Sequence, residues 1–143
     1  MRLTYFSDYA FRVLMYLAVT PDRPCTIREI STAYDISRAH LMKVVNLLAR
    51  EGFVNAQRGP NGGLTLAVAP EAIRLGDVVR KTEEDLGLVE CFRADNCCRL
   101  TPACGLAATL GRALGAFLAE LDKQTLADIT ANDGEIRSLL EAS

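Results

Sequence analysis

Apolar residues recur at helical spacing along most of this chain, and the pattern predicts a mainly α-helical protein. In the first predicted helix one face forms the expected core stripe: Phe6, Ala10, Val13, Leu14 and Leu17. Helices are predicted at residues 4–19, 26–33, 37–50, 70–81 and 102–125. The last of these carries a near-heptad apolar stripe: Leu106, Leu110, Leu114, Phe117 and Leu121. Such a stripe fits a monomer core, but it also suits a partner helix, and we expect a two-fold homodimer.

Residues 26–50 have the pattern of a helix-turn-helix motif. Thr26 and Glu29 form a capping box that opens a short helix, residues 34–36 make a turn, and Ser37 caps the second helix. The second helix has a predicted buried face: Leu41, Val44, Val45 and Leu48. The candidate DNA-binding residues near its start and on its other face are Ser37, Arg38, His40 and Lys43. For His40, a role as a hydrogen-bonding group of the capping turn is the alternative.

A glycine-rich hairpin follows this motif. Residues 57–63 (Gln-Arg-Gly-Pro-Asn-Gly-Gly) cannot be helical, and alternation in the next strand points Leu64, Leu66 and Val68 inward. An ordinary surface turn would look similar. Directly after a helix-turn-helix, however, the hairpin is predicted to be a wing that contacts DNA through Arg58 and Asn61. A nucleotide-binding loop is set aside, because no Gly-Lys-Ser/Thr follows the glycines.

These elements predict a winged helix-turn-helix domain at residues 1–81, a cysteine loop at 82–104, and a dimerisation helix with a C-terminal tail at 105–143. The net charge of −2 hides an asymmetry between them. Residues 1–81 carry 11 Lys and Arg against 7 Asp and Glu, whereas residues 82–143 carry 5 against 11. The positive domain can therefore face double-stranded DNA. Because no apolar run reaches the roughly 18 residues of a membrane span and no signal-peptide pattern is present, we expect a cytoplasmic protein without a membrane partner.

Four of the five cysteines lie close together: Cys91, Cys97, Cys98 and Cys104. Disulfides belong mainly to secreted chains, and a structural zinc site usually needs a second cysteine knuckle or several histidines. His40 is the only histidine of the chain. Iron–sulfur clusters accept thiolates at irregular loop spacings, so an iron–sulfur site is favoured over zinc and over other thiol roles.

Thr101 and Pro102 are expected to start the long helix, with the threonine as N-cap and the proline at the first helical position. Cys104 would then lie in the first helical turn. There, free N–H groups and the positive end of the helix dipole stabilise a thiolate or an anionic cluster. The alternative is that Cys104 is simply a small buried apolar residue.

Segments from most of the chain resemble one family, the small bacterial winged-helix regulators that carry iron–sulfur clusters, and within it the nitric-oxide-sensing repressors. The matching segments are residues 1–4 with Phe6, Asp8 and Tyr9, then 58–63, 89–91, 101–104 and 126–128. The resemblance implies a homodimeric repressor on a palindromic operator with an iron–sulfur cluster, for which 4Fe-4S is favoured and 2Fe-2S stays the alternative. It also implies that nitric oxide nitrosylates the cluster and releases the protein from DNA.

The same resemblance implies the cluster ligands. Three cysteines come from one subunit and an aspartate on the first helix comes from the other. Cys91, Cys98 and Cys104 match the thiolates, because five residues separate the last two, and Cys97 is the alternative to Cys98. Asp8 stands at the matching position, although from the residues alone it is an exposed first-turn carboxylate paired with Arg12.

Two other functions use the same cysteines. A regulator could sense cluster supply or thiol oxidation instead of nitric oxide, and an iron–sulfur electron carrier could use the cluster directly. A carrier needs neither a capped recognition helix nor a wing. The sequence therefore predicts a DNA-binding regulator and no enzymatic activity.

Overall fold

The computed structural model of the protein describes residues 2–142; Met1, which opens the family segment 1–4, and Ser143 lie outside the described residues. The helices are α1 (Tyr5–Ala18), α2 (Ile27–Tyr34), α3 (Arg38–Arg50), α4 (Leu75–Thr82), α5 (Gly105–Asp122), α6 (Leu126–Ile129) and α7 (Asp133–Glu141). Strands β1 (Val54–Gln57) and β2 (Gly63–Leu66) form a small antiparallel sheet. The predicted mainly α fold with a β wing is confirmed. Across residues 2–142, no helix has both the length and the apolar character needed to cross a bilayer.

The core is built around the predicted face of α1. Ala10, Val13 and Leu14 are fully buried and Leu17 is nearly so, whereas Phe6 packs at the edge of the core and is only partly buried. The predicted inner face of α3 is buried against it: Leu41, Val44, Val45 and Leu48. Burial of each such aliphatic side chain stabilises the fold by about 1.5–3 kcal/mol, several times more than a surface ion pair. The contact between α1 and α3 therefore fixes the position of the second helix of the motif.

α2 and α3 form the predicted helix-turn-helix. The capping box is present, because Thr26 Oγ1 accepts a hydrogen bond from Glu29 N at 3.2 Å and Glu29 Oε2 accepts one from Thr26 N at 2.6 Å. Asp35 makes the turn in the left-handed region, with φ of 52°. Ser37 Oγ then accepts a hydrogen bond from His40 N at 3.3 Å, which caps α3.

The wing is anchored to the chain before α2, a contact that the sequence pattern did not predict. Cys25 N donates to Leu64 O at 2.9 Å, and Leu64 N donates to Cys25 O at 2.7 Å. Cys25 thus acts as a third, one-residue strand beside β2. The predicted inward alternation holds for Leu64, which is buried, but is wrong for Val68, which lies beyond the end of β2 and is 43% exposed.

The predicted helix at residues 70–81 is wrong in its first part. Pro70–Ala72 form one 3₁₀ turn, the backbone is extended at Ile73, and α4 begins at Leu75. A non-local pairing explains the break: Leu126 N donates to Ile73 O at 2.8 Å, and Leu75 N donates to Gln124 O at 3.1 Å. Since these groups are satisfied across the fold, they are not available to a continuous helix.

The long helix is shorter than predicted. Thr101–Ala103 form a separate 3₁₀ turn, and α5 runs from Gly105 to Asp122 instead of starting at Pro102. None of its residues is buried in a single chain, and Leu106 of the predicted stripe is 63% exposed. After α5 the chain returns to the winged helix, because α6 packs on α1 and α7 contacts α2.

Candidate functional site

The exposed face of α3 carries the predicted DNA-binding side chains. Ser37, Arg38, His40 and Lys43 are all exposed, as is Asn46 one turn further along. The helix contains three Lys or Arg residues and no Asp or Glu, so its outer face is positive. A capped, positive and polar helix face can contact both phosphates and base edges in the DNA major groove.

The wing tip holds Arg58 and Asn61, both exposed, in a tight turn. Gly59 has a φ of 110°, and Gly62 N donates to Gly59 O at 3.0 Å. A Cβ on Gly62 would lie 2.3 Å from Gln57 O, a backbone atom of the paired strand. Glycine is therefore required at this position, because no side chain fits between the tip and β1.

Neighbouring side chains connect Asp8 to α3, the second helix of the helix-turn-helix motif and its expected recognition helix. Asp8 Oδ2 lies 3.0 Å from Arg12 Nη2, which is the ion pair that the sequence spacing predicts. The Arg12 guanidinium lies 6.0 Å from the centre of the Tyr9 ring and 5.7 Å from that of Tyr34. The Tyr9 ring is 6.4 Å from the His40 ring on α3. The His40 side chain therefore contacts α1, and only its backbone N–H takes part in the cap that Ser37 forms on α3.

The two tyrosines hold Arg12 in place independently of Asp8. Burial raises the pKa of Tyr34 to about 12, against the lowering effect of Arg12, so its hydroxyl stays neutral. A cation over an aromatic ring contributes about 0.5–1 kcal/mol at such sites. An exposed ion pair one helical turn apart contributes about 0.3–0.5 kcal/mol. Asp8 can therefore exchange its partner at little cost while Arg12 keeps its position.

The loop cysteines lie at the surface between α4 and α5. All four thiols are free; Cys91 and Cys104 are half-buried, and Cys97 and Cys98 are exposed. Among residues 2–142 of one chain, no three or more His, Cys, Asp and Glu side chains are arranged to hold a metal ion. A single chain thus does not bring the predicted ligands together. This agrees with the expectation that one ligand, Asp8, comes from the other subunit. The free thiols are nevertheless the type of ligand that iron–sulfur clusters require.

Asn96, which the sequence analysis did not identify, holds the loop around Cys98. Its Oδ1 accepts from Cys98 N at 2.9 Å, and its Nδ2 donates to Thr101 Oγ1 at 2.9 Å. Thr101 Oγ1 donates in turn to Cys98 O at 2.9 Å. Cys97 is fixed differently, through its N–H to Glu90 Oε1 at 3.0 Å. The signal that could have revealed Asn96 is its place two residues before a cysteine, the spacing of an Asx turn.

Cys104 lies before α5 and not in its first turn, which corrects the sequence prediction. Because Thr101 and Pro102 belong to a separate 3₁₀ turn, Cys104 becomes the N-cap residue of α5, with φ of −86° and ψ of 107°. Its side chain caps no helix N–H. Cys104 nevertheless directly precedes the first N–H groups of α5 and the positive end of its dipole.

The fifth cysteine has a different environment. Cys25 is fully buried beneath the wing. Burial raises the pKa of its thiol, with Glu29 adding to the effect and Arg23 opposing it. Cys25 is accordingly an unreactive core residue and not a candidate ligand.

Comparisons with known proteins agree with this arrangement. Residues 3–132 match the Rrf2 family, described as an iron-dependent transcriptional regulator. The HTH-type transcriptional regulator NsrR of Bacillus licheniformis is 47% identical over 142 residues, which cover 98% of this chain and 99% of the relative. The protein of the same name from Bacillus subtilis (strain 168) is 47% identical over 143 residues, covering 99% and 98% respectively.

Solved structures show the same fold. CymR, the global cysteine regulator of B. subtilis, has a TM-score of 0.74 at 23% identity, covering 92% of this chain and 98% of that one. IscR of T. potens has a TM-score of 0.75 at 22% identity, covering 92% and 88%. The named relatives are transcription regulators and not enzymes. With a family match over most of its length and relatives at 47% identity, this chain belongs to the Rrf2 family of transcription regulators.

Proposed function

We propose that this protein is an iron–sulfur-dependent repressor that binds a palindromic operator as a homodimer and releases it when nitric oxide reacts with the cluster. The resemblance to nitric-oxide-sensing repressors and the relatives named NsrR support the choice of signal. The observation that carries the proposal is the cysteine loop itself. Its four free thiols lie outside the core and run directly into α5, a helix with no buried residue. Ligand binding and subunit contact would thus share one element.

DNA binding is assigned to residues 1–81. The positive α3 face and its cap supply Ser37, Arg38, His40 and Lys43, and the tight turn of the wing tip supplies Arg58 and Asn61. Contacts of this kind to phosphates make affinity dependent on salt, whereas contacts to base edges determine the sequence that is read.

Dimerisation is assigned to the helix of residues 105–143 that follows the cysteine loop, α5, with a second copy of the chain as the partner. α5 presents its apolar stripe without burying any residue in the single chain. A groove of about 670 Å³ beside it is mostly apolar, lined by Leu3, Leu86, Leu88, Val89, Leu110, Leu114 and Phe117 among others. An open apolar groove lined by the half-buried stripe of α5 fits a subunit interface better than a solvated surface.

Cluster binding is assigned to residues 82–104. Cys91, Cys98 and Cys104 would hold a 4Fe-4S cluster, with Cys97 as the substitute for Cys98 and Asp8 of the partner subunit as the fourth ligand. When bound, the cluster supplies iron that nitric oxide can attack, most readily where the ligand is a carboxylate, a harder donor than thiolate.

Asp8 is the residue that would connect this site to DNA. Within its own chain Asp8 pairs with Arg12, which contacts Tyr9, and the Tyr9 ring contacts His40 on α3. Asp8 bound at the partner's cluster would tie α1 to the other subunit, whereas Asp8 paired with Arg12 would leave α1 untied, so the two winged helices would shift relative to each other. Two recognition helices that shift in this way lose their fit to a palindromic site.

The proposal is tested on protein purified without oxygen. We expect a brown dimer that contains iron and sulfide and binds its operator, and nitric oxide is expected to bleach the visible absorbance and abolish DNA binding in parallel. The readouts are anaerobic absorbance spectra and operator mobility shifts on the same samples. Lys43→Ala is the matched control, because it should weaken operator binding without changing iron content.

Three results would contradict the proposal. A colourless protein with stoichiometric zinc would exclude the iron–sulfur assignment. Bleaching by nitric oxide without loss of DNA binding would favour sensing of cluster supply or thiol oxidation. If Lys43→Ala lowered iron content together with DNA binding, Lys43 would be structural and the assigned DNA-contacting face would be wrong.

Replacing Asp8 by alanine is expected to leave cluster assembly intact but to change the reaction with nitric oxide. Three thiolates remain to bind the cluster, and one iron loses its protein ligand and becomes open to small ligands. Stopped-flow absorbance with nitric oxide measures the change. Asp133→Ala is the control, because Asp133 forms the same type of pair, with Arg137 four residues later. Equal rates for both variants and the wild type would leave Asp8 as half of a surface ion pair.

A further inference from the structure

The C-terminal end of α5 is fixed to α4 by a set of charged contacts. Arg80 donates two parallel hydrogen bonds to Asp122, from Nη1 to Oδ1 and from Nη2 to Oδ2, both 2.7 Å long. Arg74 Nη1 donates to the main-chain O of Asp122 at 2.6 Å. A bidentate guanidinium–carboxylate pair fixes direction as well as distance. We refer to Arg74, Arg80 and Asp122 as the α4–α5 clamp.

Gly76 shows that the clamp depends on a close approach. Gly76 is buried within α4, and a Cβ at this position would lie 1.9 Å from Asp122 Oδ1 and 2.9 Å from Arg80 Nη1. Glycine inside a helix is unfavourable relative to alanine, so the space that Asp122 occupies explains its presence here. The paired segments 73–75 and 124–126 lie directly beside it.

The clamp holds α5 at a defined angle to the winged helix. α4 packs on α1, and α1 packs on α3, so a rigid path leads from Asp122 to the recognition helix. α5 itself has no buried residue that would fix its direction. In a dimer joined through α5, the angle between this helix and each winged helix sets the distance between the two α3 helices. That distance is what a dimeric helix-turn-helix protein matches to its half-site spacing.

We propose that Arg80 and Asp122 determine which half-site spacing the dimer accepts, an inference that rests on the dimeric repressor proposed above. Both side chains are more than a third exposed, and exposed pairs contribute little to stability. The effect is therefore expected in spacing selectivity and not in folding. Hydrogen bonds from Arg80 lower the pKa of the Asp122 carboxyl group.

The test uses the full-length protein with its cluster, under anaerobic conditions. Affinities are measured for an operator selected from random DNA, for the same operator with base pairs added between its half-sites, and for a single half-site. Wild-type protein should prefer the selected spacing. Asp122→Asn and Gly76→Ala should each reduce that preference about tenfold, with half-site affinity and cluster spectrum unchanged. Glu120→Gln, which removes an exposed pair with Lys123 near the same helix end, is the control and should keep the preference.

Clamp variants that retain the wild-type spacing preference would overturn the inference. An equal loss of affinity for operator and half-site would overturn it as well, because the clamp would then only maintain the DNA-binding domain. Wild-type protein that binds the operator no better than a half-site would contradict the dimeric repressor itself, and with it the inference. The affinities for a single half-site therefore show whether the inference about the clamp is wrong or the proposed dimeric repressor is wrong.

Discussion

Replacement of Cys98 by alanine is expected to abolish both cluster binding and operator binding, whereas Cys97→Ala is expected to keep both. The segment from Cys98 to Cys104 contains Pro102, whose φ is fixed. Both main-chain groups of Cys98 are also hydrogen-bonded: its N–H donates to Asn96, and its C=O accepts from Thr101. The backbone at Cys98 thus has a defined position relative to Cys104, and we expect the Cys98 thiol to be the ligand.

Iron and sulfide content, anaerobic absorbance and operator affinity measure this prediction. For Cys98→Ala, affinity should fall to the non-specific level, a loss of about a thousandfold or more. Cys97→Ala serves as the adjacent control. If Cys97→Ala instead loses the cluster and Cys98→Ala keeps it, the spacing from Cys91 to the next ligand determines which cysteine binds iron. If both single variants keep a cluster, the two cysteines substitute for each other, and only the double variant should lack it.

Leu126→Ala is expected to destabilise the fold strongly. Leu126 is fully buried in the winged-helix core although it follows α5 by several residues, and its N–H bonds to Ile73 O. Removing such a side chain costs about 2–5 kcal/mol, because the lost burial is combined with the cavity left behind. Total stability for a domain of this size is only about 5–15 kcal/mol, so the change is a large fraction of it.

Urea unfolding followed by circular dichroism measures the free energy of unfolding of this variant. Leu139→Ala is the matched control, because Leu139 is 68% exposed on α7 and its loss should change stability by about 0.5 kcal/mol or less. Equal stabilities for the two variants would show that α6 does not belong to the cooperative core. Unfolding of the Leu126→Ala variant in two steps would also show that α6 lies outside the cooperative core.

Local interactions made much of the fold predictable. The capping box at Thr26, the serine cap of α3 and the buried stripes of α1 and α3 all depend on residues within a few positions of one another. The wing was predictable for the same reason, since its glycines adopt backbone conformations that other residues avoid. Alternation failed at Val68 because strand pairing, which the pattern does not contain, ends before it.

The candidate site was predictable in its chemistry but not in its geometry. The cysteines, Asp8 with its Arg12 pair, and the positive face of α3 could all be read from residue types and spacing. Which cysteine of the adjacent pair binds iron remains a prediction, as does the role of Asp8 across the subunit interface. Asn96 was missed because its importance lies in two hydrogen bonds that fix the backbone and not in a ligand group.

By itself, then, the sequence determined helices α1 to α3, the wing and the family, since short-range capping, periodicity and turn chemistry specify each of them, whereas α6 and α7 were not predicted. Only the tertiary structure decided where the helix at residues 70–81 breaks, where α5 begins, and how α5 is held. The break follows from hydrogen bonds between residues 73–75 and 124–126, and Gly76 is required by Asp122. These partners are separated by almost fifty positions along the chain. Their pairing is decided by how α5 and α6 fold back on the core, which no local pattern encodes.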